Sequence, residues 1–112
     1  MSSPIAVVVV NYGSSALLAD NLVATCVSLP EAAVIVCDNR SSFQEAKRLS
    51  DLAGLHGWTV IFSPTNLGFG GGVNLAARRA FAEGAEEVLL LNPDARIDGP
   101  SVAALRAATA AD

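Results

Sequence analysis

The sequence predicts a parallel, doubly wound α/β sheet of Rossmann-like form with the strand order 3-2-1-4. Two observations carry this prediction. Four short apolar runs, residues 5–10, 33–37, 59–62 and 88–91, are continuous rather than alternating, which is the pattern of strands covered on both faces of a sheet. Segments with helical spacing follow each run, so the order is β-α-β-α-β-α-β-α. Right-handed crossovers then give a parallel sheet whose topological switch lies between the first and fourth strands.

Each helix carries its own signals. The first places Leu18, Leu22, Cys26 and Leu29 on one stripe and follows Ser14 and Ser15, residues suited to capping. The second starts at Ser42 with Glu45 three residues on, a capping-box arrangement. It puts Ala46, Leu49 and Leu52 or Ala53 on one face and is expected to end near Gly54. A third helix is expected to begin near Gly71, bury Val73, Ala76, Ala77, Ala80 and Phe81, and stop at Gly84. The last begins around Pro100, a residue favoured in a first helical turn, and runs through Val102 and Leu105 to an alanine-rich end.

Composition narrows the function classes. A chain of 112 residues accommodates one core, and 52% hydrophobic with 16% charged residues excludes a disordered chain. A net charge of -4 with scattered Lys and Arg gives no basic patch for a nucleic-acid backbone. The apolar runs are far short of a bilayer span, so a cytoplasmic location is expected, with any attachment to the inner face of the membrane supplied by regions outside this chain. Cys26 and Cys37 lack metal or redox spacing and read as reduced core thiols.

Polar residues gather just past every strand: Asn11-Tyr12-Gly13, Asp38-Asn39-Arg40-Ser41-Ser42, Pro64-Thr65-Asn66-Leu67-Gly68 and Asn92-Pro93-Asp94. Parallel strands bring all four to one edge, where open α/β sheets bind their ligands. Asp38 is placed to accept hydrogen bonds from an imide N–H or a ribose hydroxyl, or alternatively to cap the turn into the second helix. The run Gly68-Phe69-Gly70-Gly71-Gly72 lets the backbone approach an anionic ligand, or alternatively permits close helix–sheet packing. It matches neither the dinucleotide fingerprint nor the Walker-type phosphate loop. Asp94, approached through Pro93, suits a hard divalent cation, although Asn-Pro-Asp also forms turns. Arg40 is near enough to the crevice for a phosphate or ribose, or for an ion pair with Asp38. His56, Arg78 and Arg79 are read as surface residues.

Taken in order, VVVVNY, VCDNRSS, NLGFGGGVNLAARRA and LLLNPDA resemble the family 2 glycosyltransferases of the GT-A fold, especially rhamnosyltransferase-like members. The resemblance runs from Pro4 to about residue 107 and corresponds to the donor-binding portion of that family. It implies that residues 1–112 are one nucleotide-sugar-binding domain, part of a longer glycosyltransferase. Asn11 and Tyr12 would line the nucleobase pocket, and Asp38 would hydrogen-bond the base or ribose. Asn66 and the loop containing Gly68 and Gly70 would wall the same pocket, with Asn74 beside it. Asn92-Pro93-Asp94 stands where the family carries D-x-D, with Asp94 the ligand of Mg2+ or Mn2+ and Asn92 a sugar or ribose contact; here the first Asp is Asn. The implied partners are a nucleoside diphosphate sugar, UDP-, dTDP- or GDP-linked, and a saccharide or lipid-linked acceptor. The implied chemistry is inverting transfer to an acceptor hydroxyl, with the general base expected downstream of Asp112, so no catalytic residue is assigned in this chain. A non-catalytic nucleotide-binding module and a generic α/β interaction domain are the alternatives. An open sheet edge also points to a homodimer formed by edge contact.

Overall fold

The computed structural model describes residues 5–111; the ends of the sequence, including Pro4 and Asp112, lie outside them. Four strands, β1 (Ile5–Asn11), β2 (Ala33–Asn39), β3 (Thr59–Ser63) and β4 (Glu87–Leu90), alternate with four helices, α1 (Ser15–Ser28), α2 (Phe43–His56), α3 (Gly68–Ala82) and α4 (Gly99–Ala111). The sheet order is β3-β2-β1-β4 and every pairing is parallel, which is the expected topology. Every carboxyl strand end therefore lies on one edge, and the switch falls between β1 and β4.

Strand alternation divides the core in two. Ala6, Val8, Ile35 and Cys37 face α3 and pack on Ala76 and Ala80. Val7, Val9, Val34 and Val36 face the other way, onto Leu18 and Leu22 of α1 and Leu49 and Ala53 of α2. All seven residues of β1 are buried, so its continuous apolar run is explained by cover on both faces and neighbours on both sides. The same pattern is misleading at the rims. In β3 and β4 the continuous runs leave Phe62 47% and Leu90 41% exposed, because these strands lie at the sheet edges with less helix over them.

The helix boundaries correct several expectations. α2 continues through Gly54 to His56 and ends where Gly57, at φ 75, closes a left-handed cap with its N–H on the Ala53 carbonyl at 2.8 Å. A glycine in mid-helix weakens a helix without ending it, whereas the stop requires the positive φ. α3 begins at Gly68 rather than near Gly71, and Phe81 is 53% exposed rather than buried. Its sheet-facing residues are Gly72, Ala76 and Ala80, spaced four apart, and Phe81 falls one step off that line. Ser14 makes no side-chain cap on α1; residues from other elements perform that task. Ser42 does cap α2, its hydroxyl accepting from Glu45 N at 3.1 Å. The N-cap of α4 is Asp98, which accepts from Ser101 N at 2.8 Å; these Ser101 hydrogen bonds hold its carboxyl below the usual range. Among the described residues no helix is long and apolar enough to cross a membrane.

Gly72 is a packing glycine, since a Cβ there would lie 3.0 Å from Val10 Cγ1. Gly54 would meet nothing within 4 Å. Helix propensity alone favours Ala over Gly by about 1 kcal/mol at either position, so their difference isolates the contact. Gly54→Ala is expected to raise urea-unfolding stability by ~0.5–1 kcal/mol. Gly72→Ala should fall at least ~1 kcal/mol below it, the usual onset of overpacking costs.

Candidate functional site

The carboxyl edge is built from polar side chains that bond across strands before any ligand is considered. The register pairs Asn11 with Asp38, and Asn11 Nδ2 donates to Asp38 Oδ1 at 3.0 Å. Both are buried, at 0% and 2% exposure. Ser41 completes the carboxylate's shell, its hydroxyl donating to Oδ1 at 2.6 Å and its N–H to Oδ2 at 3.2 Å. The same hydroxyl accepts from Gly13 N at 3.1 Å, so one side chain ties the loop after β1 to the loop after β2. Asp38 therefore braces its own turn, the local role open to it from sequence, and its carboxylate is covered rather than projecting freely. A carboxylate has about four lone-pair positions; three donors occupy it, and one acceptor position is left.

The start of α1 is held by its neighbours. Asn11 Oδ1 accepts from Ser14 N at 3.1 Å, and buried Glu45 accepts from Ser15 N at 2.9 Å. The Ser15 hydroxyl also donates to Glu45. Glu45 thus reaches to a different helix, where the capping-box pattern alone would have it close on its own. These bonds fix the segment carrying Tyr12, which is 63% exposed above the edge.

One residue further along β2, alternation sends Asn39 to the opposite face. Its Oδ1 accepts from Leu67 N at 2.7 Å and its Nδ2 donates to the Gly68 carbonyl at 2.9 Å. Asn66 adds an Asx turn, accepting from Gly68 N at 2.8 Å. Gly68 sits at φ 71, which explains the glycine there. Gly70, by contrast, is exposed and would tolerate a Cβ without contact. Asn74 is exposed on α3.

The Asn92-Pro93-Asp94 corner is mounted on α1. Asn21 Nδ2 donates to the Pro93 carbonyl at 3.2 Å, while its Oδ1 accepts from Arg96 Nε at 3.0 Å. Thr25 Oγ1 accepts from Ile97 N at 3.1 Å, and Ser28 Oγ from Gly99 N at 2.8 Å. Spacings of four and three residues put these side chains on one helix face, forming a polar rail under residues 93–99. Asn92 and Asp94 themselves are exposed. Asp94 has no hydrogen bond or ion pair with another described residue, and the described residues hold no cluster of three candidate metal ligands.

Arg40 is exposed and adopts φ 57, a left-handed conformation that costs a non-glycine residue about 1 kcal/mol. It forms no ion pair among the described residues, and Asp38 is occupied by Asn11 and Ser41 instead. Away from this edge, His56 stacks on Trp58 at 5.2 Å and Arg79 pairs with Glu83 on α3. The structure thus brings Asn11, Tyr12, Asp38, Arg40, Asn66, Gly68, Asn92 and Asp94 to the carboxyl edge. Asn39, Ser41 and Glu45, which help hold them there, fell within the strand-end run and the capping box without their bracing roles being legible, and Asn21 carries no motif at all.

The fold has counterparts among solved structures. S. aureus TarS in complex with UDP matches with a TM-score of 0.74 at 23% identity, over 96% of this chain and 31% of that one. TarS with UDP-GlcNAc gives the same TM-score and identity. A mannosyltransferase from Pyrobaculum calidifontis, PcManGT with GDP-Man and Mn2+, matches with a TM-score of 0.71 at 21% identity, over 93% of this chain and 31% of that one. The shared fold is the Rossmann-like parallel α/β sheet, order 3-2-1-4, of these GT-A structures. The chain spans under a third of the length of these structures. No family's sequence model and no curated protein matches it.

Two measurements test this geometry. Thr25 is fully buried, so Thr25→Val leaves the Ile97 N–H without its acceptor and is expected to cost ~1–3 kcal/mol, with faster amide exchange at Ile97. Cys37 lies beside Asp38, where burial, and then the Asp38 charge, push its thiol up. Its folded value is raised, so its contribution to stability is complete below the unfolded value of about 8.5 and is lost as pH rises through the folded value. Urea unfolding between neutral and alkaline pH should show a loss of stability that is smaller in Cys37→Ala.

Proposed function

We propose that this chain is the donor-binding half of a glycosyltransferase that transfers a sugar from a nucleoside diphosphate sugar to an acceptor hydroxyl. The observation that carries this reading is that Asn11, Asp38 and the Asn92-Pro93-Asp94 corner stand at the carboxyl ends of β1, β2 and β4, along the one edge that contains the β1–β4 switch. The nucleotide-sugar complexes of the structural neighbours support it, as does the ordered set of strand-end motifs. The finer assignments, to family 2, to a rhamnosyl-type donor and to an inverting reaction, rest on those motifs.

In this reading Tyr12 lies against the base, and the remaining acceptor position of Asp38 takes an imide or ribose donor. Asn66 and residues 67–70 form the opposing wall, with Asn74 behind it, and Arg40 reaches a phosphate or ribose oxygen. Asn92 contacts the sugar or ribose. Asp94, exposed and without a partner among the described residues, fits Mg2+ or Mn2+, which commonly takes one or two protein carboxylates and completes its shell with diphosphate oxygens and water. Such an ion, when bound, offsets charge on the departing nucleoside diphosphate. Deprotonation of the acceptor requires a base, and that residue and the acceptor site belong to regions outside this chain.

Calorimetric titration with UDP, dTDP and GDP, each with and without Mn2+, tests the reading. One nucleotide is expected to bind at least about tenfold more tightly with Mn2+, a difference of ~1.4 kcal/mol. Asp94→Ala should remove the metal-dependent part, and Asp38→Ala should alter the preference among bases. Failure of all three nucleotides to bind in either condition overturns the reading.

A further inference from the structure

We infer that Asn39 is a positioning residue that latches the glycine-rich start of α3 and thereby sets nucleotide affinity at the carboxyl edge. The inference rests on the donor-site reading, but the latch itself is visible without a nucleotide. Asn39 is 3% exposed, and its amide is used in both directions: Oδ1 accepts from Leu67 N at 2.7 Å and Nδ2 donates to Gly68 O at 2.9 Å. Few side chains can do both jobs at once, because the two loop groups are one donor and one acceptor on adjacent residues. An amide presents that pair in a fixed plane.

What the latch controls follows from strand alternation. Asp38 and Asn39 are neighbours on β2, yet Asp38 bonds to Asn11 and Ser41 on the α1 and α2 side while Asn39 bonds to the loop entering α3. The end of β2 therefore grips both walls of the crevice, one through each residue. The wall that Asn39 holds is otherwise weakly anchored: residues 64–70 are all exposed, and Gly68 sits at φ 71. Three glycines follow in Gly70, Gly71 and Gly72, so the backbone there has little intrinsic stiffness. Without the latch the segment pays ordering entropy when a nucleotide binds; with it, that cost is met on folding.

Replacing Asn39 by Asp gives a readout that simple loss of packing would not. An ionised carboxylate keeps the bond from Leu67 N but sets an oxygen against the Gly68 carbonyl. A protonated carboxyl donates to that carbonyl and restores the latch. The groups packed around this position do not confuse the titration. Cys37 shares the face of β2, and burial pushes its thiol up, so it stays neutral at acid pH. Ile61 and Ser63 of β3, Val8 and Val10 of β1 and residues 68–72 of α3 bring no ionisable side chain, and Asp38 points to the other face.

The experiment measures affinity for UDP, dTDP and GDP with Mn2+, as the ratio of Asn39→Asp to the unaltered chain at about pH 8 and about pH 5, bracketing a carboxyl that burial raises above its usual value near 4. Amide exchange at Leu67 and Gly68 is followed without nucleotide. The variant is expected to bind about tenfold more weakly at the higher pH, to regain most of that at the lower, and to lose Leu67 protection in parallel. Leu67→Pro removes the same donor from the exposed side, at a φ of -85 that lies just beyond proline's usual range of about -65 ± 15°, and should also weaken binding if Asn39→Asp fails to fold. Equal affinity of the variants and the unaltered chain at both pH values, or a Leu67 amide that exchanges as freely as an exposed loop, overturns the inference and leaves the donor site standing. Absence of nucleotide binding by the unaltered chain overturns the donor-site reading first.

Discussion

The parallel register that sets Asn11 of β1 opposite Asp38 of β2 is the constraint on which the rest of the carboxyl edge depends. Asn11 is the last residue of β1 and Asp38 the last but one of β2, the two most buried strands, and neither can be left without partners in that position. They bond to one another and take further bonds from Ser14 and Ser41, which leaves one acceptor position on Asp38. Ser41 in turn takes Gly13. A register shift of one residue would turn Asp38 into the α3 layer and bring an apolar side chain to the place where α1 and α2 begin. Because β1 is apolar on both faces, its burial alone does not set the register, and the buried polar pair is what disfavours such a shift.

From that fixed point the edge extends in both directions. On one side, Gly72 lets α3 approach Val10, and the Asn39 amide ties down the loop leading into that helix. On the other, α1 leaves β1 with its first turn held by Asn11 and Glu45, and its polar face carries residues 93–99 through Asn21, Thr25 and Ser28. Asp94 is thus exposed but stands on a backbone attached at several points to a packed helix. Rigid support under an exposed carboxylate is what a weakly coordinated ion requires, since the protein supplies few ligands and must not also order them on binding.

The topology was legible in the sequence because it depends on burial pattern, and burial pattern is written in the apolar runs and in the spacing of Leu18, Leu22 and Leu49. The convergence of the strand-end loops followed from parallel pairing alone. Edge effects were not legible: Phe62 and Leu90 belong to runs as apolar as that of β1 but lie at the rims, and nothing local distinguishes a rim strand from a central one. Gly54 and Gly57 could not be told apart either, since only φ separates a glycine that a helix tolerates from one that ends it. The supporting residues were the least legible part. Asn21, Asn39 and Glu45 act on partners between about 28 and 75 positions away in the chain, and no short motif encodes such distances.

The carboxyl edge, held by β1 and β2, is the nucleotide-binding surface we propose. Its most direct test is to follow backbone amide resonances while a nucleotide and Mn2+ are added. The account predicts shifts concentrated in residues 11–14, 38–41, 66–72 and 92–96, with the opposite edge around Leu29, Gly57 and Trp58 unmoved. Shifts centred on that opposite edge, where a cavity of about 380 Å³ is lined by Cys26, Pro30 and Trp58, or no shifts at saturating nucleotide, would contradict it.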